Sequence, residues 1–111
     1  MATLTAVAPA RAANELTLVA AAAGGDDFVN DGKKLLVVNN GDVDALTVTI
    51  TTQMEVDGEA IADKTVSVPA GEMHLIGPFP TNVYNDGDGK VQVGYGDETS
   101  VTVGVIDCSS V

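Results

Sequence analysis

The sequence contains one cysteine, one histidine and no tryptophan. Because Cys108 is the only thiol, no disulfide can form within the chain, and stability must come from packing, from oligomerisation or from an assembly that the protein joins. Catalysis usually requires a nucleophile or general base held by partner side chains. His74 and Cys108 alone do not provide such a set, so we expect a protein that is not an enzyme and that uses no cofactor and no metal.

Basic residues are also scarce, since five lysines and arginines stand against sixteen acidic residues, for a formal net charge of -11. That charge disfavours attraction to nucleic-acid phosphates and to anionic membrane surfaces. No apolar run approaches the roughly 18 residues that span a bilayer. The N-terminal segment also lacks the basic region that opens a signal peptide. We therefore expect neither a nucleic-acid partner nor a membrane partner.

The apolar residues that are present are mostly Val, Ala, Leu and Ile, with only two Phe and two Tyr. Aliphatic and β-branched side chains favour strands. Over residues 64–106, short apolar or alternating runs are each stopped by Gly, Pro, Asn or Asp, which is typical of antiparallel β-domains. The sequence predicts an all-β fold: a small antiparallel β-sandwich, jelly-roll-like, with seven to eight short strands.

At 111 residues the chain has room for one domain of ordinary size. Residues 1–14 are rich in Ala and Thr, and Pro9 argues against a helix through them. We predict an extended N-terminal arm over residues 1–14 and a single β-sandwich domain over residues 15–111. The arm is apolar enough to pack on a neighbour, and a frayed terminus is the alternative.

Several local predictions follow the turn residues. The predicted strands are residues 15–23, 34–39, 46–53, 65–68, 72–77, 91–95 and 101–106. Residues 24–32 are predicted as a loop anchored by Phe28, and residues 54–63 as a loop long enough to cross between sheets. We expect Phe79, set between two prolines, to plug one end of the sandwich, and the last two strands to form a hairpin.

Two candidate sites have plain structural alternatives. Alternation places His74 on the face of Glu72 and Ile76, opposite Met73 and Leu75, which fits a histidine at the rim of a sheet. Carboxylates alternate along residues 85–89, as calcium loops require, but the EF-hand pattern fails because Tyr84 and Tyr95 would occupy its first and last ligand positions. A different calcium site, shared with Asp26, Asp27 or Asp31, stays open beside an ordinary turn.

The order of these segments resembles a group of small virion proteins of tailed bacteriophages that are encoded among head genes. The resemblance rests on two stretches, AAAGGDDFVNDGKKLLVVNNG and VSVPAGEMHLIGPFPTNVYNDGDGKVQVGY. It covers about residues 16–106, and its motifs are turn motifs that are specific only in combination.

The resemblance implies a capsid decoration, or cement, protein. Such a protein binds the outer surface of the assembled head, so we expect it on the virion after synthesis in the host cytoplasm, with the major capsid protein as its partner. Self-association as a trimer or as a cluster templated by the shell stays open. The residues that we expect to contact the partner are Leu4, Val7, Pro9, Arg11, Phe28 and Phe79.

Two other functions stay open at this point. One is a tail-associated or head-fibre protein of the same virion. The other is a glycan-binding module, which would stack exposed aromatic side chains on sugar rings. Tyr84 and Tyr95 are its only candidates, and glycan binding that Tyr84→Ala and Tyr95→Ala both eliminate would support it.

Overall fold

The computed structural model describes residues 2–8 and 16–108, which form two five-stranded β-sheets, a small two-stranded hairpin and one helical turn. The strands are β1 (Ala2–Leu4), β2 (Ala6–Val7), β3 (Val19–Ala20), β4 (Asp26–Val29), β5 (Lys34–Asn40), β6 (Leu46–Ile50), β7 (Glu55–Val56), β8 (Glu59–Ala60), β9 (Lys64–Val68), β10 (Met73–Ile76), β11 (Lys90–Tyr95) and β12 (Val101–Asp107), and the helix is α1 (Thr81–Tyr84). The predicted all-β sandwich is confirmed. Seven of these strands have four residues or more, and the other five are shorter.

The first sheet has the strand order β1-β4-β11-β6-β9, and the second has the order β10-β5-β12-β2, with β3 also paired to β12. Within the sheets the pairs are antiparallel, except that β1 runs parallel to β4 and β2 parallel to β12. Most connections between the longer strands pass from one sheet to the other. This topology brings residues that are far apart in sequence together at each end of the sandwich.

The core lies between the two sheets, where alternation along each strand directs one set of side chains inward. In β6, Leu46, Val48 and Ile50 are buried while the threonine Thr47 is exposed. The two phenylalanines extend this aliphatic core towards one end. Phe79 lies 5.7 Å from Phe28 and 5.5 Å from Tyr84, measured between ring centroids. Phe79 is 3% exposed, so the predicted apolar plug is confirmed.

Three local predictions were wrong, and in each case strand pairing decided the outcome. Residues 24–32 were predicted as a loop, but β4 lies within them, between β1 and β11. Residues 54–63 do not cross between sheets, because they form the β7–β8 hairpin and return to β9 beside β6. The last two strands do not form a hairpin, because β11 belongs to the first sheet and β12 to the second.

The predicted arm also requires a correction over the part that is described. Residues 2–4 pair with β4 and residues 6–7 pair with β12, so this segment joins one edge of both sheets. Leu4 is 6% exposed and belongs to the core. Residues 2–7 are therefore part of the sandwich and not an arm outside it.

Candidate docking surface

Strand β10 lies at the edge of the second sheet and presents apolar side chains to the outside. Met73 is 56% exposed and Leu75 is 62% exposed. Their neighbours in the strand point inward, since Ile76 is buried and His74 is half-buried. The alternation predicted for this strand is therefore confirmed, and it leaves two large apolar side chains on the outer face.

Among the described residues, no strand pairs with the second side of β10. The amide of Asn40 donates to the carbonyl of Glu72 at 2.9 Å. This bond shows which alternate residues of β10 form hydrogen bonds with β5. The register places His74 opposite Val38, so His74 and Ile76 exchange hydrogen bonds with β5. The N–H and C=O groups of Met73 and Leu75 consequently point away from the sheet, as available groups of an edge strand.

The other long edge strand, β9, has a different character. The amide of Gly96 donates to the carbonyl of Thr47, so Thr47 bonds to the β11 side and the alternate residues of β6 bond to β9. The backbone N–H and C=O groups of Thr65 and Ser67 in β9 therefore point away from β6. Both side chains are polar and exposed, and the strand begins with Lys64. Lysine and polar side chains on an edge disfavour pairing with another strand. The corresponding residues of β10, Met73 and Leu75, are apolar.

The start of β10 adjoins an acidic end of the molecule, which we define as residues 41–45, 69–72 and 96–100. Asn40 joins the first two of these loops, because its side-chain amide donates to the carbonyls of Asp44 at 2.8 Å and Val68 at 3.0 Å. The amide of Gly41 donates to the carbonyl of Ser100 at 2.9 Å and brings in the third loop. Val43 stands at the tip of the first loop and is 87% exposed.

The charges of the described residues are distributed unevenly between the two ends. The acidic end carries five acidic residues and no lysine or arginine, namely Asp42, Asp44, Glu72, Asp97 and Glu98. All four lysines in the described ranges lie at the starts of β5, β9 and β11 or just before, at the opposite end. There Lys34 also lies 3.1 Å from a carboxylate oxygen of Asp31 and 3.5 Å from one of Asp107. The acidic end therefore has a negative field that no nearby lysine offsets.

The residues predicted to bind a partner lie in different environments. Leu4, Phe28 and Phe79 are at most 6% exposed and belong to the chain's own core, which is at odds with a partner-binding role for these three. Val7 is half-buried in β2, opposite Ile106. Pro9 and Arg11 lie outside the described residues. The structure therefore does not bring the six together on one surface.

The candidate calcium loop is occupied by its own hydrogen bonds. One Asp86 carboxylate oxygen accepts from the amides of Asp88 at 2.8 Å and Lys90 at 3.1 Å. The other accepts from the Gln92 side chain at 2.7 Å. These bonds lower the pKa of the Asp86 carboxyl, and within residues 2–8 and 16–108 no group of three potential metal-binding side chains occurs.

His74 and Cys108 have ordinary surroundings. The Nε2 atom of His74 lies 2.9 Å from a carboxylate oxygen of Glu72 at the rim of β10, on the face that the sequence predicted. Cys108 is half-buried and forms no disulfide. Its backbone amide donates to the carbonyl of Lys33 at 2.8 Å, which extends the β5–β12 ladder.

A buried polar pair lies close to the acidic end. The Tyr95 hydroxyl donates to a carboxylate oxygen of Asp26 at 2.7 Å, and Asp26 is only 1% exposed. Burial raises the pKa of the Tyr95 hydroxyl above its ordinary value of 10.0, and the bond to Asp26 raises it further.

Tyr84 packs its ring against Phe79. Both tyrosine rings are thus engaged with the core, which argues against the stacking surface of a glycan-binding module.

The raised pKa predicts how stability depends on pH. The unfolded chain releases the tyrosine proton first, so the contribution of Tyr95 is complete below about pH 10 and falls as the pH rises further. Urea midpoints measured between about pH 9 and pH 11.5 should fall more steeply for the natural protein than for Tyr95→Phe. Tyr84 is common to both proteins and cancels. Parallel curves would contradict the assignment.

The apolar outer face of β10 was not among the residues singled out in the sequence. The alternation of residues 72–77 already placed Met73 and Leu75 opposite the buried Ile76. That β10 lies at an edge follows from the strand order, which no local pattern contains.

Comparisons of the chain with family models, with curated proteins and with solved structures found no match. In the described part of the chain, no helix has the length and apolar character needed to cross a membrane.

Proposed function

We propose that this protein is a non-catalytic structural protein of a tailed-bacteriophage virion, which binds the outer surface of the assembled capsid and stabilises it. The observation that carries the proposal is the surface formed by β10 and the acidic end. Within the described ranges, it combines exposed apolar side chains, a strand edge with no neighbouring strand and acidic residues with no lysine or arginine among them. These features suit a protein that acts by forming a contact.

The remainder of the molecule is consistent with that role. The interior is filled by tightly buried aliphatic side chains, with Leu36, Val38 and Val103 fully buried, so the exposed apolar residues of β10 are not needed to complete it. A ligand that binds only the assembled shell stabilises that shell by mass action. The turn motifs that resemble phage head proteins support a phage head as that shell.

The proposal is tested with empty shells of the major capsid protein from the same virion. Purified protein is mixed with the shells, and bound protein is measured by co-sedimentation and located by cryo-electron microscopy. We expect saturable binding at symmetry-related positions on the outer surface, and a higher temperature of shell disruption when the sites are full. Shells that stay bare in the presence of excess folded protein would contradict the proposal, and density on the tail alone would move it to the tail-associated alternative.

A further inference from the structure

We infer that the edge of β10 binds an extended, basic segment of the capsid protein, which adds to the second sheet as a further strand. The inference rests on the function proposed above and names the contact through which it would act. It requires an edge that can accept a strand, side chains that the added strand can cover, and a reason to prefer a basic segment.

The first requirement is met by the backbone. Residues 40, 38 and 36 of β5 are directed towards β10, and residues 39, 37 and 35 towards β12, as the bonds from Asn40 to Glu72 and from Gly41 to Ser100 establish. Met73 and Leu75 therefore each have one N–H and one C=O directed outward. An added strand that runs alongside β10 can pair with all four groups.

The second requirement is met by the outer side chains. Met73 and Leu75 stand on the outer face of β10, more than half exposed, while β5 behind them contributes Val37, which is fully buried. A strand laid beside β10 would place its own outer side chains next to these two residues, where cross-strand apolar pairs stabilise a sheet. The β9 edge offers only Thr65 and Ser67 in the same positions.

The third requirement is met by charge. The start of β10 is bordered by Asp42, Asp44 and Glu72, and the whole acidic end lacks a lysine or arginine among the described residues. Lysine or arginine next to the apolar part of the added strand would be attracted there. A second copy of this chain, with its net charge of -11, would instead be repelled. Charge therefore favours a basic capsid segment over self-pairing through β10.

Proline substitution provides a sharp test. Leu75→Pro removes an outward N–H but none of the hydrogen bonds between β10 and β5, and proline is tolerated in edge strands at such positions. Ser67→Pro makes the same change on the β9 edge and is the matched control. We expect Leu75→Pro to weaken shell binding by about tenfold or more, since it removes one interstrand hydrogen bond and apolar contact with the added strand. Ser67→Pro should bind as the natural protein does.

A second variant guards against a folding defect. Leu75→Lys changes an exposed side chain and keeps the backbone N–H, and it places a positive charge where a basic segment is expected. It should fold normally by circular dichroism and weaken binding by a similar factor. Higher salt should also weaken binding of the natural protein, because the attraction to the acidic end is screened. Equal shell binding by the natural protein and by both Leu75 variants would overturn the inference while leaving the proposed function intact.

The occupant itself is identified by cross-linking. A photoreactive amino acid in place of Met73 should attach to one segment of the capsid protein that is rich in lysine or arginine. Attachment to an acidic segment, or to a second copy of this chain in a dimer that Leu75→Pro dissociates, would overturn the inference. If the natural protein does not bind shells at all, the proposed function itself fails, and the inference fails with it.

Discussion

Replacing Phe28 by alanine should destabilise the protein by about 3–5 kcal/mol, the range measured for deletion of a buried phenylalanine ring. Phe28 is fully buried in β4, opposite Leu4 of β1 and Val91 of β11. Its ring also packs against Phe79 at 5.7 Å. The substitution removes this aromatic contact and leaves a cavity that two paired strands cannot readily close.

The consequence is large on the scale of a domain of this size. Natural domains are stable by only about 5–15 kcal/mol, so a loss of about 4 kcal/mol removes roughly a quarter or more of that stability. We expect the thermal midpoint to fall by roughly 15–25 °C, measured by calorimetry or circular dichroism. Val29→Ala, in the next position of the same strand but 57% exposed, is the control, and its cost should stay within about 1 kcal/mol. Similar losses for both variants would contradict the packing described for β4.

The position of Phe28 shows why part of the fold escaped the sequence. Residues 24–27 read GGDD, which is a turn signal, and a strand prediction cannot begin there. Asp26 nevertheless lies in a strand, where it pairs with Val93 of β11, and its carboxylate accepts from the hydroxyl of Tyr95, 69 residues away. Gly25, with a φ of 90°, lies so close to Val93 that a Cβ atom would be 2.4 Å from its carbonyl oxygen. Both features depend on β11 being adjacent, which local sequence does not encode.

Prediction succeeded where the residue pattern within a strand decides its burial. Residues 34–39 were predicted as a strand, and β5 lies between β10 and β12. Residues 46–53 were also predicted as a strand, and β6 covers Leu46–Ile50 with Leu46, Val48 and Ile50 inward. In contrast, the five-residue connection of residues 96–100 is compatible with a hairpin or with a crossing between sheets, so it could not reveal which sheet β12 would join.

The candidate docking surface, too, could be predicted only in part from the sequence. The outward direction of Met73 and Leu75 followed from alternation around Ile76. The acidic end could not be predicted, because its three loops are separated by more than 20 residues each in sequence and meet only through hydrogen bonds such as that from Gly41 to Ser100. In the sequence, the Asp residues of each turn fit an ordinary turn. Only the strand topology brings these turns together at one end.

The connection between these loops leads to the second large prediction, which concerns Asn40. This residue is fully buried. Its side-chain amide donates to the carbonyls of Asp44 and Val68, and its side-chain oxygen accepts from the amide of Asp42 at 3.1 Å. Its backbone accepts from Gly71 and donates to Glu72. The side chain thus joins the loop of residues 41–45 to the end of β9, and the backbone joins the residue to Gly71 and Glu72 before β10.

Asn40→Ala removes all three side-chain bonds but leaves the backbone bonds in place. The carbonyl of Val68 loses this bond and keeps its place opposite Leu46 in the β6–β9 ladder. A lost hydrogen bond costs about 0.5–1.5 kcal/mol, so for three bonds and the cavity we expect a loss on the order of 2–4 kcal/mol in urea unfolding. Asn39→Ala is the matched control: Asn39 is half-buried on the opposite face of β5, and no side-chain hydrogen bond to it is found within the described ranges.

We expect Asn40 to hold the candidate docking surface in position as well as to stabilise the sandwich. Hydrogen exchange can separate these two roles. If Asn40 holds the loop of residues 41–45 against β10, the amide of Asp42 should exchange faster in Asn40→Ala by a larger factor than amides of β12, whose exchange reports global unfolding. Shell binding should then weaken at temperatures where the variant remains folded, since the acidic residues beside Met73 are no longer held in place. Uniform acceleration of all amides, with unchanged shell binding by the folded variant, would show that Asn40 stabilises the domain without shaping the docking surface.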